Sequence, residues 1–165
     1  MSAWTRPSTA DIGLRVFSPN LNELFCETTT GMQNILLSRE SKMKLNSFIR
    51  HSSQWNVCVE KSVDSHYEIL LVKWLEEVLY RAEVYDEFLT EVQILLSEDK
   101  NYYYCNSQVD WVDTSVIERE IEIKAVTTHE LIVERVEENA EITSQWEEVP
   151  HFIGPGWYCD ILFDI

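Results

Sequence analysis

Hydrophobic and polar positions alternate with a period of two at Ile12, Leu14 and Val16, set among Gly13, Arg15 and Phe17, and the pattern predicts a strand buried on one face near the start of the chain. Ser18-Pro19-Asn20 then supplies stop and cap chemistry. Leu21, Leu24, Phe25, Thr28 and Met32 follow at helical spacing, which predicts a first helix over 20–36, with Gly31 weakening its second half. Short alternations at Met43/Leu45 and Trp55/Val57/Val59, split by His51-Ser52-Ser53, predict a β-hairpin between 42 and 61. At Ser65-His66-Tyr67-Glu68 the spacing of a capping box precedes Ile69, Val72, Leu75, Val78 and Leu79, so a second helix is expected over 66–83.

Beyond that helix the period returns to two. Strands are predicted at 91–97, 101–109, 119–127, 129–137 and 157–164, with the cleanest alternation in Glu120-Ile121-Glu122-Ile123-Lys124. Acidic residues between Glu134 and Glu148 interrupt the run, and Ile153-Gly154-Pro155-Gly156 makes a turn before the last strand. Helices that do not alternate one-for-one with strands argue for an α+β fold, two helices packed on a largely antiparallel β-sheet system. No internal repeat or linker divides the chain, so one domain is expected over 1–165.

Composition narrows what such a fold can do. With 165 residues, 45% hydrophobic, and only four Gly and four Pro, the chain is expected to fold around one sizeable core. Its formal charge of −16, from 29 acidic and 13 basic residues, sets up a field that repels phosphate backbones, so no direct nucleic-acid binding is expected. The same field attracts divalent cations and suits a basic partner. Cys26, Cys58, Cys105 and Cys159 form no C-x-x-C pair and have no histidine at ligand spacing, which argues against structural zinc and for reduced, mostly buried thiols. Neither a signal peptide nor an apolar run of membrane-spanning length is visible, and a cytoplasmic location is expected.

Candidate chemistry gathers at the two ends. The chain finishes Ile161-Leu162-Phe163-Asp164-Ile165, so a carboxylate side chain and the free terminal carboxylate stand one residue apart at a strand end. Should Asp11, at the start of the first predicted strand, lie beside them, three hard oxygen donors would converge on a divalent metal, calcium or magnesium, with water completing its shell. Carboxylates packed that closely repel unless a cation or a lysine neutralises them. Lys124 alternates away from Ile121 and Ile123 and so belongs to the polar side of its strand, while His129 falls at a turn or strand start. Trp74, Trp111, Trp146, Trp157 and the run Tyr102-Tyr103-Tyr104 are interleaved with acid, which favours core and interface anchoring over base stacking. No Gly-rich phosphate loop, H-E-x-x-H or G-x-S-x-G element is present.

Four segments together resemble the archease family: Thr9-Ala10-Asp11-Ile12-Gly13-Leu14, Leu71-Val72-Lys73-Trp74-Leu75-Glu76-Glu77-Val78-Leu79-Tyr80, Ile123-Lys124-Ala125-Val126-Thr127-Thr128-His129, and the ending Leu162-Phe163-Asp164-Ile165. The resemblance implies a protein cofactor of an RtcB-type RNA ligase in tRNA splicing, which promotes guanylylation of the ligase and multiple turnover without being an enzyme itself. It also implies a bound divalent cation, calcium in the best-known form, at Asp11, Asp164 and Ile165, and places Lys124 and His129 on the functional surface. Ser8 stands where the family usually has His, Thr128 where it usually has Tyr, and Cys105-Asn106-Ser107 lacks the usual Arg-Gly-Glu character. A metal-dependent hydrolase acting on a small phosphorylated substrate is the alternative, with the same carboxylates on magnesium and Lys124 on phosphate. A plain interaction or chaperone-like module is a third.

Overall fold

Strand alternation and helical spacing resolve, in a computed structural model that describes residues 2–6, 10–64 and 66–165, into two antiparallel sheets with helices between them. The elements in chain order are β1 (Ala3–Arg6), β2 (Asp11–Ser18), α1 (Leu21–Leu36), α2 (Arg39–Lys44), β3 (His51–Glu60), α3 (Tyr67–Val84), β4 (Glu87–Glu98), β5 (Tyr102–Asp113), β6 (Ala125–Val126), β7 (Ile132–Val136), β8 (Glu141–Ile142), β9 (Phe152–Ile153) and β10 (Gly156–Asp164). One sheet runs β1-β2-β10-β6, with β7 also on β10; a second runs β3-β5-β4, and β8 pairs with β9. All pairings are antiparallel, as the α+β reading requires.

Both long helices touch both sheets, because each carries more apolar surface than one stripe can bury. Leu24, Phe25 and Met32 of α1 and Leu71, Trp74, Leu75 and Val78 of α3 are buried together with Trp55, Phe88, Val109, Ile161 and Phe163 from the strands. Two side-chain hydrogen bonds cross this core: the Trp74 indole donates to Thr29 Oγ1 at 2.8 Å, and Gln33 Nε2 donates to the Leu89 carbonyl at 2.8 Å, whereas the Trp55 indole N–H is buried without a partner. Gly31 is explained by close approach, since a Cβ there would stand 2.8 Å from Leu14 Cδ2 and 3.2 Å from Ala3 Cβ. Its missing side chain lets α1 lie tight on the β1–β2 hairpin.

The opposite face of β1-β2-β10 is also covered. Phe17, Val136 and Tyr158 form a second small cluster there, with Phe152 of β9 stacked on Phe17 at 4.6 Å and Trp4 tilted against it at 5.6 Å. The acidic segment between β7 and β10 thus folds back as a cover over this sheet, anchored by an aromatic residue from its short β8–β9 pair.

Three expectations need correction. No hairpin forms over 42–61: residues 39–44 are helical and β3 pairs with β5. Ser38 caps that helix by accepting from the Ser41 amide, Glu40 opens it and Lys42 and Lys44 close it, a charge order that suits the helix dipole. Met43 is 79% exposed, so its alternation with Leu45 marked no buried strand face. Within 119–127 only Ala125–Val126 forms a strand, while Arg119 makes an isolated bridge to Leu37 and the Glu120 amide donates to the Leu36 carbonyl. Helix α3 starts at Tyr67 with no side-chain hydrogen bond from its cap residue His66, while Ser65 of the expected capping box lies outside the described residues. The short strands β1, β8 and β9 went unpredicted.

Burial divides the cysteines. Cys105 and Cys159 are buried, Cys26 is partly so, and Cys58 is exposed on β3, so not every thiol is a core filler. Burial pushes the Cys105 thiol up to about 12 and raises Cys159 and Cys26 as well, which starves them of thiolate at neutral pH. A thiol reagent at pH 7.5 is therefore expected to label Cys58 rapidly and the other three only on unfolding. Rapid labelling of a Cys58→Ser variant would contradict this. Among the described residues no helix is long and apolar enough to cross a membrane.

Candidate functional site

Antiparallel register decides what meets at the end of the first sheet. β2 and β10 pair without a shift from Trp157↔Ser18 to Asp164↔Asp11, so the two predicted acidic residues are direct cross-strand partners on one face. Their Cβ atoms are therefore about 5 Å apart, a spacing at which like charges destabilise a sheet unless something positive stands between them. Asp11 is half-buried, whereas Asp164 and Ile165 are exposed. Water can thus complete a coordination shell there.

Lys124 is tied to the same end. Its amide donates to the Asp164 carbonyl at 2.8 Å and its ammonium to the main-chain oxygen of Ile165 at 3.2 Å. Ala125, next along, faces Asp164 as its cross-strand partner. The short strand β6 therefore fixes the last residues of β10 in place by main-chain bonds, and Lys124 brings one positive charge to the group. Thr128 is exposed nearby, and Ser8 lies outside the described residues.

His129 does not join them. It occupies a turn closed by the Leu131 amide on the Thr128 carbonyl at 3.4 Å, with Glu130 in the left-handed region at φ 54°. Its side chain is 77% exposed and faces the Glu130 carboxylate at 3.8 Å. Register places this turn beside Ile161, three residues from Asp164, which at strand rise is about 10 Å away.

Among the described residues no three His, Cys, Asp or Glu side chains cluster as a metal site. A cation held by Asp11 and Asp164 would therefore need main-chain oxygen from Ile165 and water. That donor set, two carboxylates and a main-chain oxygen with no sulfur or imidazole, fits calcium or magnesium and not a thiolate-seeking metal.

Sequence reasoning missed a second charged group on the same sheet face, four residues further along β2. Arg15 forks onto Asp160, with Nε to Oδ1 at 2.7 Å and Nη2 to Oδ2 at 2.6 Å, and sends Nη1 to the Thr143 carbonyl at 3.0 Å. Arg6 Nη1 stands 3.9 Å from the same Asp160 carboxylate. The Trp146 ring covers both guanidiniums, at 5.1 Å from Arg6 and 5.3 Å from Arg15. The hydrogen bonds to Asp160 raise the Arg15 pKa further, against the opposing effect of burial. One signal was available: Arg15 and Asp160 each interrupt an apolar strand, and a charge in such a place needs a partner.

Comparison with known proteins agrees with this architecture. The solution structure of protein 1598 from Methanobacterium thermoautotrophicum superposes with a TM-score of 0.63 at 16% identity, covering 99% of each chain, a likeness of fold. No curated protein matches the chain. A family model described as the archease protein family (MTH1598/TM1083) matches residues 5–165, and the chain therefore belongs to the archease family.

Proposed function

We propose that this chain is a non-catalytic protein cofactor of an RtcB-type RNA ligase, one that promotes guanylylation of the ligase and so multiple turnover. In this reading it holds a divalent cation, calcium first and magnesium second, at Asp11, Asp164 and Ile165. Family membership supports a cofactor role in RNA ligation. The observation that carries the finer reading is the register that sets Asp11 opposite Asp164, with Lys124 bonded to Ile165. Two carboxylates held face to face by a ladder of main-chain bonds are an arrangement that suits a bound cation.

A bound cation would supply local positive charge and an ordered set of water ligands at this tip. Asp11 and Asp164 would hold it from adjacent strands, and Lys124 bonds the main-chain oxygen of Ile165. The remaining acidic surface, within a formal charge of −16, would speed encounter with a basic enzyme, while the fixed tip would give selectivity.

The test adds the protein at substoichiometric amounts to an RtcB-type ligase with excess RNA, with and without chelator. Many turnovers per ligase are expected with calcium and about one under chelation. Equal stimulation in both would remove the cation from the reading. Phosphatase activity of the protein alone, with no ligase present, would favour the hydrolase instead.

A further inference from the structure

Strand β1 is the open edge of the first sheet: β2 pairs with one side of it, and among the described residues no strand pairs with the other. Register tells which of its main-chain groups are left over. The Phe17 amide donates to the Ser2 carbonyl at 2.9 Å, so these two form a hydrogen-bonded pair, and alternation makes Trp4↔Arg15 and Arg6↔Gly13 the next such pairs. The residues between them, Ala3 and Thr5, therefore turn N–H and C=O away from β2. Two donors and two acceptors stand along the free edge, in the order that an added strand needs.

A walled groove runs beside that edge. Ser2, Ala3, Trp4, Thr5 and Arg6 all line one cavity of about 920 Å³. Side chains along a strand alternate between its two faces, so consecutive residues can share a cavity only where it lies against the strand's edge. Helix α1 walls it with Glu27 and Ile35, and Lys42, Ile121 and Glu148 line it from other parts of the chain. The Arg6 guanidinium is engaged on the far sheet face by Asp160 and Trp146. What the groove presents is therefore mainly acidic: Asp11, Glu27 and Glu148 against the single ammonium of Lys42.

We infer that this groove takes an extended, basic segment of a protein partner, which joins the first sheet as a strand beside β1. Main-chain bonds to Ala3 and Thr5 supply affinity, and the acidic lining selects Lys or Arg over Asp or Glu. Ile35 and Ile121 offer apolar contact to the residues that alternate with the basic ones. β1 is only four residues long, so the docked strand is about as short, and its charge decides whether it stays. A second copy of this chain is a poor occupant, because two bodies of formal charge −16 repel. The inference rests on neither the cation nor the ligase, since the open edge and the charge of its groove carry it.

The probe is a capped hexapeptide of alternating Lys and Val, titrated into the isotope-labelled full chain in the presence of chelator. The Ala3 and Thr5 amides are expected to shift saturably and to exchange with solvent at least tenfold more slowly, while the Trp4 and Arg6 amides, already bonded to β2, keep the protection they have. Thr5→Pro removes one outward N–H and leaves the β1–β2 ladder intact, a change that an edge strand tolerates, and it is expected to weaken the peptide at least tenfold. On the unmutated chain, the same peptide N-methylated at alternate residues keeps its charge and loses main-chain donors, and it is expected to fail, as is a peptide with Glu in place of Lys. The inference is overturned if the Ala3 and Thr5 amides stay still, or if the N-methylated or the acidic peptide binds as tightly as the first. Thr5→Pro binding as the parent does would overturn it as well. Slow exchange at Ala3 and Thr5 without peptide, in step with dimer formation on sedimentation, would put a second copy in the groove and overturn it too.

Discussion

Asp160→Asn is expected to destabilise the protein by about 3–5 kcal/mol, the range for removing one partner of a buried ion pair. Asp160 is 3% exposed and is the only carboxylate within ion-pair distance of both Arg6 and Arg15 among the described residues. Asparagine keeps the size and one acceptor, but it leaves two guanidiniums with no negative charge between them. Arg15→Met is expected to cost less, because Arg6 can then close the 3.9 Å gap to Asp160 and restore one pair. Urea unfolding of both variants checks the order. A loss of about 4 kcal/mol would consume much of the typical 5–15 kcal/mol stability of a domain, so Asp160→Asn should unfold near the base of the parent's transition. If Arg15→Met proves the more damaging, Arg6 does not share the carboxylate in solution.

How much of this was legible beforehand depended on the range of the interaction. Strand β2 and helices α1 and α3 could be read because Ile12/Leu14/Val16 and Leu71/Leu75/Val78 repeat a period that local geometry enforces. The Met43/Leu45 pair carried the same local signal as a strand, but Ser38, Glu40 and Lys44 carried a helix signal over the same few residues, and capping and charge order prevailed. Glu120–Lys124 alternates as cleanly as any strand here, yet its main-chain partners, Leu36 at one end and Asp164 at the other, lie far away in sequence and do not extend into a continuous ladder. The same holds at the site. That Asp11 and Asp164 stand at strand ends could be read, whereas their direct opposition is a matter of register. Arg6 was unreadable as a buried charge because its burial depends on a bare Gly13 beneath it and on Trp146, which a distant loop folds over it.

Under the proposed function, Asp164→Asn is expected to abolish stimulation of an RtcB-type ligase while leaving the fold as stable as the parent's. The two halves of that statement have one cause. Asp11 and Asp164 face each other directly, and Asp164 is exposed, so neutralising one member removes a repulsion and should change stability in the absence of metal by no more than about 0.5 kcal/mol. A cation held there, as proposed, would however lose one of its two carboxylate ligands. Binding to the folded state alone would stabilise the parent by about 2.7 kcal/mol at a calcium concentration one hundred times its Kd, and the variant should gain almost none of this. Thermal unfolding of both proteins with calcium and with chelator separates the terms: the parent should shift upward with calcium and Asp164→Asn should not. Asp11→Asn should repeat the pattern from the other strand, and Lys124→Met should weaken stimulation by freeing the Ile165 oxygen. Should calcium stabilise Asp164→Asn as much as the parent, the opposed carboxylates hold no metal.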